Sequence, residues 1–376
     1  MVKNISPFKF GQVVDSKSFT NRNKEILLLK DNLFSGNHLI IISPRRYGKS
    51  SLVQQFMIKN KKNTGVIHCM IDLFSIHSED EFYAAFASEL IKATSNHIEE
   101  WIQNAKSFFK QLVPRISVGV DPVNDFTISF DVKEIAKHKT DVLNLAEEIA
   151  SRKKKRIIVY LDEFQNVGTF KKSLDFQKEL RSAFQRQKNV SYCLYGSKRH
   201  MMREIFDRTE APFYRFGYLY ILDRIDVENW IQFILKNFKA TNKSIKKEMA
   251  EKIAGLMKNH PHYVQQLAHF VWTYTKNEVM PEAIDQSVEF MIHANSPFFI
   301  KTVEELSVTQ INLLKAIMNQ EKQLSANNTM REYNLGTPRN VHKNKATLEN
   351  KDIIDIAPGE IRFIDPLFEM WFKCNF

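Results

Sequence analysis

The stretch Ser43-Pro44-Arg45-Arg46-Tyr47-Gly48-Lys49-Ser50 lies between an apolar run, Leu39-Ile40-Ile41-Ile42, and an amphipathic run, Ser51-Leu52-Val53-Gln54-Gln55-Phe56-Met57. That order reads as strand, turn and helix. A helix that starts at the end of such a turn directs its unpaired backbone N–H groups into the turn, which makes an anion site. Lys49 adds a cation with the reach for terminal phosphates, and Ser50 adds a hydroxyl suited to Mg²⁺. The pattern is that of a phosphate-binding loop with one departure, Ser43 where the first glycine is usual. Serine is small, so close approach to a phosphate survives if its φ stays negative. The plainer reading is a basic turn on an ordinary strand–helix unit.

A second signal lies further along. Ile157-Ile158-Val159-Tyr160-Leu161-Asp162-Glu163 is a near-continuous apolar run that ends in two acids. A strand buried on both faces reads this way. In an open α/β sheet, acids at the carboxyl end of such a strand lie beside the phosphate loop. Asp162 is then placed to hold the Mg²⁺ that Ser50 also touches, and Glu163 to polarise a water for attack on the γ-phosphate. Taken alone, the run is also what a strand leaving into an acidic turn looks like. The pair of signals together points to a P-loop ATPase with a catalytic glutamate.

The chain has 376 residues, 43% of them hydrophobic, enough for two or three folded domains. No apolar stretch approaches the ~18 residues needed to span a bilayer, and Met1 to Pro7 lacks the apolar core of a signal peptide. Cys69, Cys193 and Cys374 are scattered singly, as in a reducing cytoplasm, and the first two lie in strand-like runs as small core residues. The net charge of +11 favours an acidic partner such as nucleic acid.

Residues 1–18 read as an extended lead-in. A helix follows over Glu25 to Leu33, with Thr20 or Asn21 as its N-cap. Strands are expected at Leu39–Ile42, Val66–Asp72, Ile157–Asp162, Val190–Tyr195 and Tyr218–Leu222. With helical crossovers they give an α/β fold, a doubly wound parallel sheet of about five strands. Helices are expected over Glu79 to Phe109, and the alternation around Pro114–Phe130 predicts a β-hairpin insertion near 113–131. The basic run Arg152-Lys153-Lys154-Lys155-Arg156 reads as a solvated helix end. These elements make a P-loop domain over 1–225. An all-helical lid follows over 226–300, and the pair His260/His262 within it lacks the partners of a metal site.

From Ser307 the pattern becomes three helices and a two-strand wing, a winged helix-turn-helix over 301–376. Ser307-Val308-Thr309-Gln310 is a capping-box signature. Arg339, Asn340, Lys343 and Lys345 on the third helix suit a DNA groove. Asp355 and Glu360 on the wing would repel phosphate, so a protein contact is an equal reading.

Together these residues resemble the archaeal-type ATPases of the STAND branch, related to AAA+ and to origin-recognition ATPases, over most of the chain. Phe19-Thr20-Asn21-Arg22 and Glu25 match the opening box. Pro44-Arg45-Arg46-Tyr47-Gly48-Lys49-Ser50-Ser51-Leu52 matches the phosphate loop, and Leu161-Asp162-Glu163-Phe164-Gln165 the acidic strand end. Gly196-Ser197 with Met201-Met202 matches the end of the fourth strand. Pro212-Phe213-Tyr214-Arg215 and Asn259-His260-Pro261 match two further strings, each with its glycine missing. Asp365-Pro366-Leu367-Phe368 and Trp371 match the C-terminal segment.

The resemblance implies ATP and ADP as ligands, with Mg²⁺. It implies nucleotide contacts from Ser43 through Ser51, from Asn21 and Arg22, and from Pro261 or His262. Ser197 takes the sensor position and Arg215 a γ-phosphate contact, in its own site or in a neighbour's. The last case would require a homo-oligomer. The expected function is a Mg-dependent, slow ATPase that acts as a nucleotide-controlled switch on the winged helix. The alternative is a module that holds nucleotide with little or no hydrolysis and serves mainly DNA or protein recognition. The expected setting is the cytoplasm, with no membrane partner and an unidentified protein partner.

Overall fold

The computed structural model describes residues 5–95, 100, 103, 115–117, 127–129, 132–357 and 359–376. Contacts divide the chain into two compact units. One comprises residues 22–43 and 52–222. The other comprises residues 1–21, 44–51 and 223–376.

The first unit is built on a five-stranded parallel sheet. Its strands are β1 (Leu39–Ile42), β2 (Val66–Asp72), β5 (Arg156–Asp162), β6 (Val190–Gly196) and β7 (Tyr218–Ile221), in the order β2-β5-β6-β1-β7. Every residue of β1 and of β6 is buried, which explains the unbroken apolar lettering of β1 and the mostly apolar one of β6. β1 pairs on one side with β6, Ile40 opposite Leu194, and on the other with β7, Ile40 opposite Leu219. The loop-bearing strand β1 and the acid-bearing strand β5 are therefore not neighbours, because β6 stands between them. All five strands are parallel, so their carboxyl ends share one edge of the sheet.

The helix Glu79–Thr94 contributes Phe82, Tyr83, Phe86 and Leu90 to the core, Val132–Lys153 contributes Val142, Leu145 and Ile149, and Ser173–Arg186 contributes Phe176, Leu180 and Phe184. Ser78 caps the first of these by accepting the Glu81 N–H at 3.2 Å. The helix Asn23–Phe34 begins two residues earlier than Glu25, and Arg22 rather than Thr20 or Asn21 is its N-cap, without a side-chain capping bond. Of the expected hairpin, β3 (Arg115–Ser117) and β4 (Thr127–Ser129) pair antiparallel. The rest of it, and most of the helical expectation beyond Thr94, lies outside the described residues.

The second unit holds the helices Val227–Ala240, Lys247–Leu256, Pro261–Tyr274 and Pro281–Glu304. Trp230, Phe238, Ile253, Val264 and Leu267 form their core, and Phe8 of the lead-in seats its ring 5.6 Å from that of Phe238. Three helices follow, Val308–Met318, Asn327–Glu332 and Pro338–Asn350, then the antiparallel pair β8 (Ile354–Ala357) and β9 (Glu360–Phe363), then Pro366–Asn375. Ser307 and Gln310 form the reciprocal capping box, and Thr337 caps the third helix at the Asn340 N–H. Among the described residues no helix is long and apolar enough to cross a membrane. Cys69 and Cys193 are buried in the sheet, where burial pushes both thiols up, and Cys374 is exposed.

Two expectations follow. A Cβ on Gly217 would come 2.5 Å from the His38 carbonyl oxygen, a backbone atom with little room to yield. Gly217→Ala should therefore cost about 1–3 kcal/mol in urea unfolding. The second concerns acid. Burial holds His38 and His68 down at about 4, from 6.5. Between those values the unfolded chain binds protons that the folded chain does not, so stability falls as pH drops from 7 towards 4. His68 also shares a 2.8 Å hydrogen bond with the Tyr160 hydroxyl. His68→Gln keeps a partner for that hydroxyl and should flatten part of the decline in unfolding midpoint between pH 7 and pH 5.

Candidate functional site

β1 ends at Ile42, and the Ser43 N–H continues its pairing by donating to the Gly196 carbonyl at 3.5 Å. Ser43 is buried and stays out of the left-handed region, so the departure from glycine costs no backbone strain. The loop Pro44–Ser51 that follows belongs to the unit of helices. It turns through two left-handed residues, Arg46 at φ 64° and Gly48 at φ 88°. Open space surrounds the position of a Gly48 Cβ, so it is the dihedral alone that requires glycine there.

Arg46 is a bulky residue in that conformation, and its guanidinium is anchored, with Nη1 donating to the Tyr263 hydroxyl at 3.1 Å. Tyr47 is buried, with its ring edge-on to His260 at 4.7 Å and its hydroxyl accepting from Arg224 Nε at 3.3 Å. Arg45 is exposed and pairs with Asp352 at 3.8 Å, a separation and exposure that make it worth little. Lys49, the first residue of the helix Lys49–Asn60, is only 5% exposed, and Nζ donates to the Pro44 carbonyl at 3.5 Å. Ser50 is half-buried, and the Ser51 hydroxyl accepts the Val14 N–H at 3.2 Å.

The helix Pro261–Tyr274 is positioned by three local devices. Asn259 takes the left-handed φ of 59° that glycine would otherwise supply, which asparagine tolerates, and its carbonyl accepts from Trp230 Nε1 at 3.2 Å. His260 is the N-cap, its Nδ1 accepting the His262 N–H at 3.2 Å. Burial, with His262 and Arg224 beside it, holds His260 well below its usual range, so the imidazole stays neutral and Nδ1 stays an acceptor. Burial, with Arg46 nearby, brings His262 down to about 4. Pro261 fills the first helical position, where its missing N–H is harmless.

Tyr263, one turn in, connects two charges. Its hydroxyl accepts from Arg46 and donates a short hydrogen bond to Asp365. Asp365 caps the last helix by accepting the N–H groups of Leu367 at 2.8 Å and Phe368 at 3.1 Å. Burial pushes its carboxyl up, against the opposing pull of Tyr263, the two amides and Arg46.

The other unit holds the acids. Asp162 closes β5, and its Oδ1 accepts the N–H of Glu163 at 2.8 Å. Glu163 has a left-handed backbone, φ 50° and ψ 43°. Its Oε2 accepts from the Ser197 N–H at 3.2 Å, from the Ser197 hydroxyl at 2.8 Å, and from the Gln165 amide in a short bond. Glu163 and Ser197 are thus brought together at the carboxyl edge of the sheet.

Other expected site residues are placed separately. Asn21 is exposed at φ 20°, and Arg22 is buried and paired with Glu25 at 2.8 Å. Arg215 is exposed in a left-handed turn at φ 51°, beside a cleft lined by Ile40, Phe213 and Leu219. On the third helix of the C-terminal region Arg339, Asn340 and Lys343 are exposed, and Lys345 is half-buried. The wing differs from its reading in sequence. Asp355 is buried and accepts from Arg362 Nε at 3.2 Å, so it is not a surface charge that could repel phosphate. Gln165, Tyr263 and Asp365 were not singled out by the sequence as site residues. Gln165 lies two places after Glu163 and inside the acidic strand-end match, and these were the signals for it.

Each unit carries donors whose chemistry suits part of a nucleoside triphosphate with Mg²⁺. A near-buried ammonium at a helix N-terminus and a following hydroxyl suit phosphate and metal, and a carboxylate at a strand end suits a hard cation.

A family model described as an ATPase domain predominantly from Archaea matches residues 19–267, and one described as "Probable winged helix domain" matches residues 297–374. No curated protein matches the sequence. Among solved structures, the chain is similar to the Walker-type ATPase PABY2304 of Pyrococcus abyssi, at 16% identity and a TM-score of 0.67 over 95% of this chain and 97% of that one. It is also similar to the ORC2 protein of Aeropyrum pernix in its ADPNP–ADP complexes, at 12% identity and a TM-score of 0.55 over 98% and 99%. At these identities the likeness is one of fold. The chain belongs to the family of ATPase domains found predominantly in Archaea, here followed by a winged helix domain.

Proposed function

We propose that this chain is a Mg-dependent ATPase that works slowly, as a nucleotide-controlled switch. In this reading Pro44–Ser51 cradle the phosphates and Lys49 neutralises the γ-phosphate. Ser50 and Asp162 hold the metal, and Glu163 takes the proton of the attacking water, aided by Ser197. Arg215, Asn21, Arg22, Pro261 and His262 are secondary candidates for nucleotide contact. Three parts divide the work: a P-loop domain over 1–225, a lid over 226–300 and a winged helix over 301–376. ATP and ADP are the expected ligands, since the similar ORC2 protein was solved with ADPNP and ADP.

One observation carries the switch. Arg46, in the loop, and Asp365, the cap of the final helix, meet at the same Tyr263 hydroxyl. A phosphate in the loop competes for Arg46, and what Arg46 gives up changes the load on Tyr263 and on the cap. Hydrogen bonds to charged groups are worth about 1.5–3 kcal/mol, enough to bias a two-state element by tenfold or more. The exposed Arg339, Asn340 and Lys343 make DNA the preferred partner of the winged helix.

A second reading keeps nucleotide bound with little turnover. It is favoured by the Lys49 ammonium lying against the Pro44 carbonyl of its own loop. ADP retained through purification, with no turnover above background, would select it.

The main test is steady-state ATP turnover. Glu163→Gln should lower kcat by about 10²–10⁴-fold and leave ATP binding intact; unchanged turnover would remove Glu163 from the mechanism. Lys49→Ala should abolish calorimetric binding of ATP. For the switch, Tyr263→Phe should retain the nucleotide Kd within about threefold and erase any difference in DNA affinity between the ATP and ADP states. For the winged helix, Arg339→Ala with Lys343→Ala should reduce the salt dependence of DNA binding by about two counterions. Absence of DNA binding at low salt would instead point to a protein partner.

A further inference from the structure

We infer that Gln165 is a positioning residue for Glu163, and that Gly196 is glycine so that Gln165 can reach it. The inference deepens the proposed function and rests on that reading of Glu163.

Gln165 is 2% exposed, in the 3-10 turn Phe164–Thr169 that follows the acids. Its neighbours Phe164 and Val167 are buried in the core, so the turn is fixed and the side chain has one direction to take. Its carboxamide lies against the backbone at the end of β6. A Cβ added to Gly196 would stand 2.0 Å from Gln165 Oε1 and 3.2 Å from its Cδ. No side chain at that position is compatible with the carboxamide where it is, although Gly196 stays out of the left-handed region and needs no glycine on conformational grounds.

The amide nitrogen donates to Glu163 Oε2, while Oε1 is buried with no hydrogen-bond partner. Leaving a buried carbonyl unpartnered is costly, so this orientation is held by what the other end of the amide does. Turned over, the amide would set its oxygen against a carboxylate. A buried polar group left half-satisfied in order to address one carboxylate is a supporting arm for that carboxylate.

The direction of the support follows from the sheet. The other two donors to Oε2 are the N–H and hydroxyl of Ser197, at the end of β6. β6 lies between β5 and β1, so these bonds draw Glu163 away from its own strand and towards the strand that feeds the phosphate loop. Gln165 secures the same oxygen. Its role is thus to aim the carboxylate rather than to withdraw it.

The test is ATP turnover by Gln165→Met, which keeps the length and polarisability of the side chain and removes the amide. The expected result is a fall in kcat of about tenfold with KM and the ATP Kd within about twofold of wild type, and no further fall when the change is made on Glu163→Gln. An unchanged kcat, a raised kcat, or a KM that rises in step would overturn the inference. A thermal double-mutant cycle between Gln165→Met and Glu163→Gln, without nucleotide, separates this from the parent reading. A non-additive shift of about 2–4 °C in Tm is expected. If wild type turns over no ATP, the proposed function fails and the cycle decides the contact: non-additivity upholds it, and simple additivity overturns it.

Discussion

The pairing of β1 on both sides constrains everything built at the carboxyl edge of the sheet. Leu39–Ile42 is short, wholly apolar and buried, so its backbone groups have no water to turn to and must be used in the ladders with β6 and β7. Ser43 extends the first of these ladders by one bond to Gly196. The chain therefore leaves the sheet at a fixed point and in a fixed direction, and the phosphate loop begins from a rigid support. The same ladder sets Gly196 and Ser197 at the neighbouring strand end, where Glu163 finds its donors.

The loop itself is tied by side chains to a different set of elements. Arg46, Tyr47 and Arg45 each contact a residue beyond position 222: Tyr263, Arg224 and Asp352 respectively. These are unequal. The Arg45 pair is exposed and wide, whereas Tyr47 is buried and Arg46 meets a buried tyrosine's hydroxyl that is itself bonded to a half-buried carboxylate. The Arg46–Tyr263–Asp365 line therefore joins an exposed cation of the loop to a half-buried carboxylate through one buried tyrosine, and in the proposed switch it is this line that responds to charge in the loop. The histidines around it stay neutral and so do not compete for Asp365.

Much of this was legible in the residues because the signals are local. The apolar runs of β1, β5 and β6, the capping box at Ser307 and the wing all follow from nearest neighbours in sequence. Gly48 announces its left-handed turn, but Arg46 does not, since nothing in a string of letters says that Tyr263 will hold an arginine there. The insertion of β6 between β1 and β5 was not readable either, because strand order is a property of long-range pairing. Asp355 misled for the same reason: its charge is visible, but its burial against Arg362 is not. Gln165 stood in plain view beside Glu163, and only the close approach to Gly196, far along the chain, gives it meaning.

The distribution of sulfur has a practical corollary. Cys69 in β2 and Cys193 in β6 are sealed inside the sheet, in surroundings that suppress the thiolate, whereas Cys374 sits in the open on the helix that Asp365 caps. A maleimide dye added to the native chain would accordingly settle on one place, within the very element at the end of the Arg46 line. The unaltered protein carries its own attachment point for a fluorescent reporter of that helix.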